Sequence, residues 1–71
     1  MLYILKIKGT DQIPDFVQIR DADMILVAYF RLSQIEKGLR KNGLKKDTKG
    51  IATLLKDMPY GKIRKYFRGN E

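Results

Sequence analysis

The residues of this chain whose type and spacing could do chemistry are a serine, a close pair of aspartates, and a set of lysines and arginines. Ser33 as a nucleophile would need an activating base, and the chain has no histidine to serve as one. Ser33-Gln34-Ile35-Glu36 instead matches a capping box, in which the serine oxygen accepts from a free amide and Glu36 reaches back to the Ser33 amide. Asp21-Ala22-Asp23 could ligate a cation, but it lacks the later glycine and glutamate of a calcium loop. Turn aspartates that bond neighbouring backbone amides are the expected role. Cysteine is absent as well, so a transition-metal site would need carboxylates alone. There is no Walker loop, no GxGxxG and no zinc-finger spacing. The expectation is therefore a protein that is not an enzyme and has no cofactor.

The cations are more informative. The chain of 71 residues carries a net charge of +7. Residues 1–32 balance Lys6, Lys8, Arg20 and Arg31 against Asp11, Asp15, Asp21 and Asp23. The remaining basic side chains, Lys37 to Arg68, face only Glu36, Asp47, Asp57 and Glu71, so the whole excess follows residue 32. A concentrated positive field attracts phosphate backbones. The set expected to bind nucleic acid is Arg40, Lys41, Lys45, Lys46, Arg64, Lys65 and Arg68. Tyr60, Tyr66 and Phe67 interleave with the last of these, a mixture suited to stacking on unpaired bases. The plainer reading makes those cations a solvated helix face, and Tyr66 and Phe67 core residues.

Elements must position these groups. Residues 1–8 read as a strand, with Tyr3, Leu5 and Ile7 on one face and Leu2, Ile4, Lys6 and Lys8 on the other. A Gly-to-Pro loop precedes a second strand over 15–20. Residues 24–32, MILVAYFRL, are nearly continuous in large apolar and aromatic side chains. That pattern suggests a third strand covered on both faces. Two tight turns would give a meander with the second strand in the middle; the apolar third strand argues for itself as the middle one, across a short crossover, but sequential neighbours are commoner, which favours the meander. At Ser33 the period changes. A helix over 33–42 buries Ile35 and Leu39, and Gly43 with Leu44 forms a Schellman ending. A second helix over 48–58, capped by Asp47 or Thr48, carries the stripe Ile51, Leu54, Leu55 and Met58. Pro59 and Gly61 break it. Ile63, Tyr66 and Phe67 then fall at helical spacing, which predicts a third short helix over 62–68, and residues 69–71 read as a frayed end.

The fold expected is α+β: a small three-stranded, mostly antiparallel sheet over residues 1–32, then two or three short helices on one of its faces. It forms one domain near the lower size limit for a self-sufficient core. The Pro59-Tyr60-Gly61 break has the length of a helix-turn-helix turn, which would make the segment after it the reader, although any helical hairpin gives this match. The functional expectation is a small basic cytoplasmic protein that holds DNA or RNA backbone on the outer face of its C-terminal helices. The alternative is a protein-interaction or regulatory module, a homodimer among its forms, joined through the edge of the first strand. No apolar run approaches the ~20 residues that span a bilayer, and residues 1–5 are too short an apolar stretch for a signal peptide.

Overall fold

The computed structural model describes residues 1–68. It is an α+β fold whose sheet has four strands, not three. β1 (Leu2–Ile7), β2 (Phe16–Arg20) and β3 (Leu26–Arg31) form the expected meander with β2 in the middle. Next come α1 (Ile35–Lys41), α2 (Thr48–Asp57) and finally β4 (Ile63–Tyr66). The strand order is β3-β2-β1-β4, and every pairing is antiparallel.

β4 replaces the third helix expected over 62–68. It pairs with β1 from Leu2 opposite Tyr66 to Leu5 opposite Ile63. Two cations stand between its apolar residues, and Ile63 and Phe67 are 53% and 66% exposed, so neither joins a buried helical stripe. Only Tyr66 packs against the core. β1 is thereby flanked on both sides, and the sheet edges are β3 and β4. The expectation of an open edge at the first strand is overturned, and with it the ground offered for a homodimer.

The expectation that residues 24–32 are covered on both faces also fails. β3 lies at an edge, and Leu26 and Tyr29 are exposed while Ala28 and Phe30 are buried. The strand starts at Leu26 because the turn before it is held by Asp21, whose Oδ1 accepts from the amides of Asp23 and Ile25 at 2.9 and 3.0 Å. This is the amide-bonding turn expected of these aspartates. A register irregularity at Ile19/Arg20 lets Val27 and Ala28 both pack toward the core.

The core lies on one face of the sheet. Leu2, Ile4, Val17, Ile19, Ala28 and Phe30 meet Leu39, Leu44, Ile51, Leu55 and Met58 from the helical layer. α1 approaches β3 closely because Gly38 has no side chain; a methyl group there would run into the Phe30 ring. α1 ends as expected: Gly43 takes φ 76, its amide donates to Arg40 O, and Leu44 N–H donates to Leu39 O at 2.8 Å.

Its start differs from expectation. Ser33 lies inside a 3-10 turn (Leu32–Gln34), and neither that turn nor α1 has a side-chain cap bond. The backbone already begins to coil at Leu32, whose amide donates to Asp15 O, so the capping serine position does not arise. α2 has no side-chain cap either. Asp47 is engaged elsewhere, and Thr48 Oγ1 donates backward to Lys45 O. Among the described residues no helix is long and apolar enough to cross a membrane.

Candidate functional site

The helices cover one face of the sheet, and among the described residues none covers the other. Alternation along each strand fixes what that open face carries. Across the sheet run three rows: Leu26, Arg20, Tyr3 and Lys65; then Tyr29, Gln18, Leu5 and Ile63; then Arg31, Phe16 and Ile7. The face therefore mixes three aromatic rings, four aliphatic side chains, one amide and three cations. Among the described residues it has no carboxylate.

Two features give it shape. Phe16 and Tyr29 are diagonal neighbours on adjacent strands, and their rings stack at 4.8 Å between centroids with 12° between planes. Tyr29 remains 51% exposed. Beside this pair, at the β3 edge, a cleft is lined by Arg31, Gln34, Lys37, Lys41 and Asn42 as well as by both rings. Nearer β4, a shallow apolar depression lies between Tyr3, Leu5, Gln18, Arg20, Met24 and Ile63. Arg20 Nη1 donates to Met24 O at 3.0 Å, which steadies its guanidinium along the rim of that depression.

The seven cations expected to bind are divided by this geometry. Arg40 and Lys41 occupy the last turn of α1, and Lys45 and Lys46 begin the next 3-10 turn (Lys45–Asp47); all four are exposed. Lys41 shares the β3-edge cleft with Arg31 and Lys37. Lys65 lies on the open face opposite Tyr3, while Arg64 is opposite Ile4 on the other side of β4. Strands lie about 4.8 Å apart, so Lys65 and Arg31 stand at opposite edges, three strand spacings apart. Arg68 is already paired: its Nε and Nη2 reach Asp47 Oδ2 at 3.0 and 2.8 Å. Tyr66 Oη donates to the other Asp47 oxygen. Burial, and then the Asp47 charge, raise the Tyr66 phenol above its usual range. This cluster ties the end of β4 to the start of α2.

No protein-family model, curated protein or solved structure matches this chain. The site is thus read from its own chemistry. A helix-turn-helix reader after Pro59 is ruled out, since that segment is β4.

Sequence reasoning missed Arg20, Arg31 and the Phe16–Tyr29 platform, because it followed the excess of charge into the second half. The signal was present in β2, where Phe16, Gln18 and Arg20 alternate with Val17 and Ile19. It also missed a second polar cluster at the far end of β1. Lys6 is buried on the core side, and its Nζ donates to Leu55 O at 2.8 Å and Met58 O at 3.2 Å. Its ammonium and that of Lys8 lie over the Tyr60 ring, 4.5 and 5.0 Å from the centroid. Tyr60 Oη donates to Asp15 Oδ2 at 2.7 Å, and the Gly9 amide to Asp15 Oδ1 at 2.7 Å. The Gly9 bond and then the Tyr60 bond hold the Asp15 carboxyl below its usual range, while Asp15 raises the Tyr60 phenol. Every group in this cluster is occupied in holding loops and a helix end, so its role is structural.

Proposed function

We propose that this chain is a non-catalytic nucleic-acid-binding domain. The observation that carries the reading is the sheet face left uncovered by the helices, where Arg20, Arg31 and Lys65 stand among aromatic rings with no carboxylate among the described residues. Lys37 and Lys41 extend this positive surface around the β3 edge. Arg40, Lys45, Lys46 and Arg64 contribute to the field from outside the face, and Arg68 contributes least because Asp47 neutralises it. Phosphate contacts of this kind hold a backbone without reading sequence.

Titration of labelled single-stranded DNA, duplex DNA and RNA against salt tests the proposal. If about five phosphates are neutralised, log affinity falls with log salt at a slope of about −4 to −5 on duplex and a shallower one on single strands. Arg31→Gln with Lys65→Gln flattens the slope by about two phosphates' worth on whichever form is bound. Absence of binding to every form at low salt rejects the reading. A protein-interaction module would then lead, on the exposed apolar run Met24, Ile25 and Leu26 at the β3 edge, and a dimer seen by light scattering would give that reading its partner.

A further inference from the structure

We infer that the open sheet face selects single-stranded over duplex nucleic acid, with an unpaired base stacking on Tyr29. The inference rests on the nucleic-acid reading above and adds the class of strand. Phe16 stacks against one side of the Tyr29 ring, and half of the tyrosine is left to solvent. A supported, half-exposed ring offers a platform to any base, because every base has a π-face. A paired base inside a duplex has no such face to give, and stacking of unpaired bases on sheet aromatics is how exposed strands are generally held.

The cations sit where a strand's phosphates would then run. Arg31 is in the row next to Tyr29, and Lys37 and Lys41 line the same cleft. Charge also decides among occupants. A second copy docked face to face across a two-fold axis would set a surface bearing Arg20, Arg31 and Lys65 against an identical one, with no carboxylate among the described residues of either face to offset them. Like charges so placed oppose association. A polyanion meets no such penalty.

The chain has no tryptophan, so Tyr29→Trp places a single reporter on the platform. Its fluorescence is expected to be quenched by an oligothymidylate and left unchanged by a duplex added to equal saturation. Tyr29→Leu should weaken single-strand binding by roughly 5- to 150-fold, the loss of one stacked base. It should leave the residual duplex affinity alone, and Tyr29→Phe should retain wild-type binding. The exposure of Tyr29 keeps these variants folded, which circular dichroism checks. Equal affinity for single strand and duplex, or a Tyr29→Leu variant that binds single strands normally, overturns this inference and leaves the broader reading standing. Binding only to anionic phosphatidylserine vesicles, with none to oligonucleotides, overturns both.

Discussion

Lys6 shows how one side chain can fasten two distant parts of a small fold. It is only 8% exposed, and its ammonium sits on the last carbonyls of α2, where the helix dipole favours positive charge. Lys6→Met should cost about 1.5–3 kcal/mol in urea unfolding, the range for hydrogen bonds to a charged group. Lys8→Met, at an exposed position, should stay within about 0.5 kcal/mol. Alternation along β1 put Lys6 on the Leu2–Ile4 face, but its partners lie 49 and 52 residues away and could not be read locally. Asp15 and Tyr60 give the pH dependence. The lowered Asp15 carboxyl adds stability that is present above its ordinary value of 3.8 and is lost as pH falls through the lower folded value. The raised Tyr60 phenol adds stability that is present below 10.0 and is lost as pH rises through the higher folded value. Melting temperature against pH should therefore drop at both ends. Asp15→Asn should flatten the acid limb and Tyr60→Phe part of the alkaline one, with Tyr66 supplying the remainder.

Among the elements, α1 separates what the sequence made legible from what it hid. Its end was readable because Asn42-Gly43-Leu44 is a local signal, and the predicted bonds are present. Its start was not, since a 3-10 turn running on from β3 removes the cap position that Ser33 would fill. Ser33→Ala should accordingly change stability by less than about 0.5 kcal/mol. Leu39→Ala, at a fully buried position, should cost about 2–5 kcal/mol. Comparable losses for the two in denaturant melts would contradict this placement. β4 escaped detection for a different reason. A strand of four residues at a sheet edge has little buried surface on either face, so no period of two is written into it. The spacing of Ile63, Tyr66 and Phe67 then imitates a helix.

Over the whole molecule, charge along the chain and charge in space disagree. The net excess follows residue 32, yet two of the three cations on the open face, Arg20 and Arg31, come from the electrically balanced first half. Folding turns the acids of that half into turns and loop anchors, Asp21 and Asp15 among them, and leaves its arginines beside the aromatic rows. Net charge by segment therefore covers only part of the candidate surface: Lys41 and Lys65 lie at the candidate site, Arg40, Lys45, Lys46 and Arg64 lie outside the open face, and Arg68 is spent on Asp47.

The pairing of β4 with β1 has a consequence for aggregation. Leu2 finds its partner at Tyr66, near the other end of the described chain, so loop closure over nearly the whole sequence precedes this last ladder. Until it forms, the apolar strand LYILKI presents an unpaired edge, a template for other chains. β4 buries little, but it caps that template and substitutes an outer edge bearing Arg64 and Lys65, whose charges discourage further pairing. A chain cut after Asp57 should thus form thioflavin-positive aggregates faster than the full chain at equal concentration, as measured by thioflavin fluorescence. Neutralising Arg64 and Lys65 together should move the full chain in the same direction. The two cations would then be gatekeepers of the monomer whatever else they bind.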